Sequence, residues 1–63
     1  MKRLFVEFTY PKGSGLRQTK TAIVVLKEHE LDMRGVVLGI RGQNLIPTSV
    51  SEGEIIINNI QTL

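Results

Sequence analysis

The chain has 63 residues, no cysteine and a formal net charge of +2, so neither a disulfide nor a thiolate metal site can stabilise it. We expect one domain, residues 1–63, with a thin margin of stability, because a chain of this length buries only about 60% of its unfolded surface. No apolar run approaches the roughly 18 residues of a membrane span, and Glu7 interrupts the apolar start MKRLFVEFTY, which is unlike a signal peptide. These features predict a cytoplasmic protein.

The first two predicted elements are strands. Residues 2–10 alternate, with Leu4, Val6, Phe8 and Tyr10 on one face, which is the period of a half-buried strand. Pro11 should end this strand, because proline cannot donate to a ladder. A flexible loop then leads to a second strand over residues 19–27, which pairs with the first as an antiparallel hairpin. The centre of this second strand is apolar on both faces, and this predicts a central or doubly covered position.

Residues 28–34, EHELDMR, form the one helix-like stretch, either as a single turn or as a polar loop. Gly35 fits a C-terminal cap for such a turn. A longer helix reaching Ile40 is conceivable, but Val36, Val37 and Gly39 are poor helix formers. The segment 36–41 is therefore predicted as a third strand.

Two further strands are predicted near the C-terminus. Residues 45–50 follow the tight-turn signal GQN, and Pro47 demotes them to an edge strand or a bulge. After a turn at residues 51–53, residues 54–62 form the fifth strand.

Composition and strand count both favour a mainly β fold. There is one alanine, against seven isoleucines, six valines and five threonines, and such β-branched side chains suit a pleated sheet. The predicted fold is a small five-stranded antiparallel barrel, SH3-like by architectural analogy, with at most one short helical turn near residues 28–35. The competing architectures are an open sheet with one short helix on a face and an intertwined sheet of two chains.

Charge is segregated along the chain. Residues 1–27 hold six basic residues and one acid, a balance of +5, whereas residues 28–63 hold two basic residues and five acids, a balance of −3. The loop PKGSGLRQTK has three cations, no acid, and glycines that let backbone N–H groups approach an anion. We therefore predict a nucleic-acid-binding hairpin, with cations that neutralise phosphates. Its candidate residues are Lys2, Arg3, Phe5, Tyr10, Lys12, Arg17 and Lys20.

Phe5 has a separate role in this hypothesis. By parity it lies between Arg3 and Glu7 on the polar face of the first strand, and an exposed aromatic ring beside cations can stack on a base. The alternatives are that the basic loop is only solvated and that another element covers Phe5. The loop is not a P-loop, because GSG lacks the lysine and hydroxyl spacing of that motif.

No pattern in the chain predicts catalysis. The single histidine, His29, lies among Glu28, Glu30 and Asp32, but no second histidine or cysteine completes a zinc shell. So small a chain also leaves little room for a ligand pocket. We expect no enzyme activity, no cofactor and no metal.

The isoleucines of the last strand predict a covered surface. Ile55 and Ile57 should face the core while Ile56 and Ile60 face outward, where a second copy, a partner or a wrapping loop would cover them. A homodimer is expected, with Ile55, Ile56, Ile57 and Ile60 as candidate interface residues. The alternative function is a protein-binding module or inhibitor that acts through an edge strand and the acidic segment 28–32; a structural subunit of a larger assembly is a third.

Overall fold

The computed structural model describes all residues from Met1 to Leu63. Its elements are β1 (Lys2–Gly13), β2 (Leu16–Leu26), a 3-10 turn (Glu28–Glu30), α1 (Met33–Gly42), a second 3-10 turn (Glu52–Glu54) and β3 (Ile56–Thr62). The strands form one antiparallel sheet in the order β2-β1-β3. The fold is therefore mainly β, an open three-stranded sheet with one helix.

One face of this sheet, the packed face, carries the core. It includes the even-numbered residues of β1 from Leu4 to Tyr10 and of β2 from Ala22 to Leu26, all of which are buried. The helix α1 lies over them and adds Val36, Val37 and Ile40. Side chains from the segment after α1 complete the same cluster: Ile46, Val50 and Ile55.

The segment predicted as a third strand, residues 36–41, lies instead within α1. Its buried residues Val36, Val37 and Ile40 fall at positions i, i+1 and i+4, which share one helical face. The helix begins at its N-cap Asp32, whose Oδ1 accepts a 2.7 Å hydrogen bond from the Gly35 N–H. Gly35 therefore lies in the first turn of the helix and does not cap its end.

An open sheet replaces the predicted five-stranded barrel. Residues 45–50, predicted as a strand, form bends and turns that insert Ile46 and Val50 into the core. The central strand is β1, and β2 lies at an edge. The prediction for β2 was wrong because its odd-numbered side chains are uncovered: Ile23 is 47% exposed and Val25 is 52% exposed.

The predicted first loop is much shorter than its sequence suggests. Only Ser14 and Gly15 lie between the paired residues Gly13 and Leu16, and both have positive φ, as a type I′ hairpin turn requires. Pro11 does not end β1 but pairs with Arg17.

The hydrogen bonding of the ladder explains how β1 tolerates a proline. The Ile23 carbonyl accepts from the Gln43 side chain and so points away from β1. Odd-numbered residues of β2 therefore form non-hydrogen-bonded pairs with their β1 partners. Pro11 pairs with Arg17 in this way, so its nitrogen faces away from β2, toward the side of β3. The pairing of β3 with β1 extends no further than Thr9, so no strand lies opposite the Pro11 nitrogen. No ladder hydrogen bond is lost.

Candidate nucleic-acid interface

The second face of the sheet, the open face, has no helix or loop packed across it. Its residues on β1 are Arg3, Phe5, Glu7, Thr9 and Pro11, and those on β2 are Arg17, Thr19, Thr21, Ile23 and Val25. From β3 it receives Ile56, Asn59 and Gln61. A flat surface formed by alternate residues of three strands is therefore available to a ligand.

Phe5 lies on the central strand of the open face. Its cross-strand neighbours are Ile23 on β2 and Gln61 on β3, and its own side chain is half-buried between them. The other two aromatic residues, Phe8 and Tyr10, are buried on the packed face, with ring centroids 6.3 Å apart. Phe5 is thus the one aromatic ring that a ligand on the sheet can reach, and the predicted parity of Phe5 is confirmed.

The predicted cations divide between the two faces of the sheet. Arg3 and Arg17 lie on the open face with Phe5, Arg3 two residues before it and Arg17 beside Pro11. Lys12 is exposed at the irregularity before the hairpin turn. Lys2 pairs with Leu26 and is exposed at the margin of the packed face. A ligand on the open face therefore meets Arg3 and Arg17 first.

Two predicted site residues, Tyr10 and Lys20, are instead part of the packing. Tyr10 is 5% exposed. Lys20 pairs with Phe8 on the packed face, where its Nζ donates a 3.2 Å hydrogen bond to the Leu45 carbonyl. The same Nζ lies 5.7 Å from the centroid of the Tyr10 ring, within the range of a cation–π contact. Period-two alternation within the predicted second strand already places Lys20 on the face of Ala22 and Val24, and that signal was available in the sequence.

The four candidate interface isoleucines also divide between the faces. Ile55 is buried and Ile57 packs partly against the core, as predicted, while Ile56 is exposed on the open face opposite Thr9. The ladder between β1 and β3 shifts register after Ile57, because Asn58 is an extra residue in β3. This bulge inverts the parity, so Ile60 shares the packed face with Val6 and does not lie beside Ile56.

Most acidic side chains of the segment 28–32 cap the starts of helical turns. A carboxylate oxygen of Glu30 accepts from the Lys27 N–H at 2.9 Å, and Asp32 caps α1. Two of the three acids in this candidate partner-binding segment, Glu30 and Asp32, are therefore engaged in hydrogen bonds within the fold. No group of three or more histidine, cysteine or acidic side chains is arranged to hold a metal ion.

A pocket that the sequence did not reveal lies at the hairpin end of the open face. It has a volume of about 280 Å³, and its walls include Thr9, Pro11, Arg17, Glu54 and Ile56. Glu54 belongs to the second 3-10 turn, where its Oε1 accepts from the Ser51 N–H at 2.9 Å and from Ser51 Oγ at 3.0 Å. These two hydrogen bonds, the backbone one first, lower the pKa of Glu54 below its ordinary value.

Comparison with protein-family models, with curated proteins and with solved structures finds no match to this chain. The geometry of the chain's own residues therefore has to indicate its function. None of the helices has the length and apolar character that crossing a membrane demands.

Proposed function

We propose that this cytoplasmic protein binds single-stranded nucleic acid on the open face of its sheet, as a regulatory or architectural protein without catalytic activity. The observation that carries the proposal is the position of Phe5, a reachable aromatic ring on the middle strand of a sheet whose second face is uncovered. Stacking of an unpaired base on such a ring is tolerant of sequence and contributes much of the affinity in this class of interface.

The two arginines of the open face support the same proposal, set against the single acid of β1 on that face, Glu7. Arg3 and Arg17 lie on either side of Phe5 along the strands, and their guanidinium groups can pair with backbone phosphates. Pro11, the partner of Arg17, is six residues from Phe5, a separation of about 20 Å at the rise of a β-strand. A strand that follows the sheet can therefore stack on Phe5 and contact both arginines. Bases within a duplex are stacked on one another, so the ring favours a single strand.

The first test is fluorescence anisotropy with labelled oligothymidine, oligouridine and a duplex, each at low and near-physiological salt. We expect the single strands to bind more tightly than the duplex, with an affinity that falls as salt rises. The choice between the DNA and RNA single strands then identifies the natural class of nucleic acid. Equal or tighter binding of the duplex, or no binding at low salt, would contradict the proposal.

Two variants test the assigned residues. Phe5→Leu keeps an apolar side chain but removes the stacking ring, and we expect affinity to fall about tenfold, since one stacked base contributes about 1–3 kcal/mol. Arg3→Gln should reduce the slope of log affinity against log salt by about 0.7, the value for one phosphate contact on a single strand. The matched control is Arg34→Gln, which removes the same charge from an exposed position on α1, across the sheet from Phe5.

A second candidate is a protein contact on the same face, including a second copy of this chain. The observation that favours it is the exposure of Ile23, Val25 and Ile56, each about half exposed on the open face. Sedimentation equilibrium over a range of concentrations distinguishes the two candidates. A dimer that dissociates when Ile23 and Val25 are replaced by threonine would support this candidate, and a concentration-independent monomer would oppose the homodimer.

A further inference from the structure

The pocket at the hairpin end of the open face has the size and position for one base of a bound strand. Its volume of about 280 Å³ lies just below the usual range for drug-sized ligands, about 300–1,000 Å³. Thr9 in its wall is four residues from Phe5 on the same face, about 13 Å along the strand. That separation equals at most about four nucleotide steps at the stacked spacing of 3.4 Å.

Two polar side chains in the wall of the pocket, Glu54 and Thr9, are oriented by hydrogen bonds within the protein. Glu54 Oε1 is occupied by the two hydrogen bonds from Ser51, while Oε2 makes no hydrogen bond within the protein. Thr9 Oγ1 is likewise engaged, by Thr19 Oγ1 at 2.9 Å and by the Asn58 side-chain amide at 2.7 Å. One carboxylate oxygen of Glu54 therefore remains as an acceptor for a ligand, and Arg17 lines the same pocket.

A carboxylate in this position discriminates between bases. It can only accept hydrogen bonds, and cytosine, adenine and guanine offer it an exocyclic amino group, which thymine and uracil lack. Thymine and uracil offer only one ring N–H, which lies between two carbonyl oxygens, so a carboxylate that accepts from this N–H is repelled by the oxygens beside it. Arg17 offsets the repulsion between Glu54 and the neighbouring phosphates. Pro11 and Ile56 supply apolar surface for the ring of the base.

We infer that the pocket lined by Arg17 and Glu54 receives one unstacked base of the bound strand and selects a base with an exocyclic amino group. This inference rests on the proposed function, because it concerns the same open face. It adds a base preference at one position, which stacking on Phe5 does not provide.

The test uses the full chain and a labelled oligothymidine in which one cytosine, or one adenine, is placed in turn at each position. We expect one position of the substituted base to raise affinity about fivefold over oligothymidine, which is the low end of the discrimination that one base contact provides. In Glu54→Gln, the amide oxygen still accepts from Ser51, and the amide nitrogen becomes a donor toward the pocket. This variant should lose the preference for cytosine and bind oligothymidine more tightly than the wild type does.

The matched control is Glu52→Gln, which removes the same charge from the same 3-10 turn but from outside the pocket. This variant should keep the preference for cytosine. If the wild type binds oligothymidine and no substituted position raises affinity, or if Glu54→Gln keeps the preference, the base pocket is overturned while the proposed function stands. If the wild type binds no oligonucleotide at low salt, both are overturned.

Discussion

Gly39 is the point of closest approach between α1 and the sheet, and its substitution tests the packing of the fold. A Cβ atom at this position would lie 2.5 Å from Val24 Cγ1 and 3.6 Å from Leu26 Cδ2. Val24 is 1% exposed and β-branched, so its methyl group cannot turn away. Gly39→Ala therefore forces the helix and β2 apart by nearly 1 Å if the contact is to reach the 3.4 Å at which ordinary van der Waals contact begins.

The expected change in the free energy of unfolding of Gly39→Ala follows from two opposing effects. Alanine is favoured over glycine inside a helix by about 1 kcal/mol, whereas overpacking a core costs about 1–3 kcal/mol. Because Val24 is rigid and fully buried, we take the upper part of that range and expect Gly39→Ala to lower the free energy of unfolding by about 1–2 kcal/mol. This loss is measurable against a total of about 3–9 kcal/mol for a domain of 63 residues.

Gly42→Ala is the matched control, because it lies in the same helix and an added Cβ atom there would meet nothing within 4 Å. We expect this substitution to raise the free energy of unfolding by about 0.5 kcal/mol. Urea denaturation followed by far-ultraviolet circular dichroism measures both changes.

A double-mutant cycle then isolates the contact. Val24→Ala removes the methyl group that the new Cβ would meet, so the cost of the pair should be smaller than the sum of the two single costs by about 1–2 kcal/mol. If Gly39→Ala stabilises the protein as Gly42→Ala does, or if the two changes are additive, α1 does not pack on β2 at this position.

Two further predictions concern side chains whose roles the fold assigns. Lys20→Met removes the hydrogen bond to the Leu45 carbonyl and the cation near the Tyr10 ring, and should lower the free energy of unfolding by about 1 kcal/mol. The same substitution should leave the salt dependence of oligonucleotide binding unchanged. A smaller salt slope would instead place Lys20 in the interface. The lowered pKa of Glu54 means that its hydrogen bonds to Ser51 stabilise the fold above the ordinary pKa of 4.5, and that this contribution is lost as the pH falls through the lower folded value. Thermal melts over that acidic range should be less dependent on pH in Glu54→Gln, and an identical pH profile in the two proteins would refute this role.

Local alternation was sufficient to predict the first hairpin and the faces of its residues. The even-numbered apolar residues of β1 are buried, and Phe5 lies on the other face, as the period of two indicates. Composition likewise indicated a mainly β fold. The alternation also placed Tyr10 on the apolar face, opposite to Phe5, so the candidate site residues combined two surfaces that no single ligand on the sheet contacts.

The helix was missed because local propensity and tertiary packing disagree over residues 36–41. Two valines and a glycine disfavour a helix in isolation, by up to about 1 kcal/mol for the glycine. The helix approaches Val24 so closely at position 39 that a residue larger than glycine would clash with it. The signals that favoured a helix were the N-cap Asp32 and the spacing of Val36, Val37 and Ile40, and both are weak in so short a segment.

The sequence by itself determined the β-rich class, the antiparallel pairing of β1 with β2 and the basic character of the first hairpin, because alternation and charge are local properties. Tertiary structure decided which strand is central, since pairing of β3 with β1 joins residues more than forty positions apart. It also decided which face of the sheet Ile60 occupies, because the bulge in β3 is not indicated by any periodicity in the sequence. Finally, it brought Arg17 and Glu54 into the wall of the same pocket. A site assembled from distant segments depends on how the chain closes on itself, which the spacing of residues along the sequence does not specify.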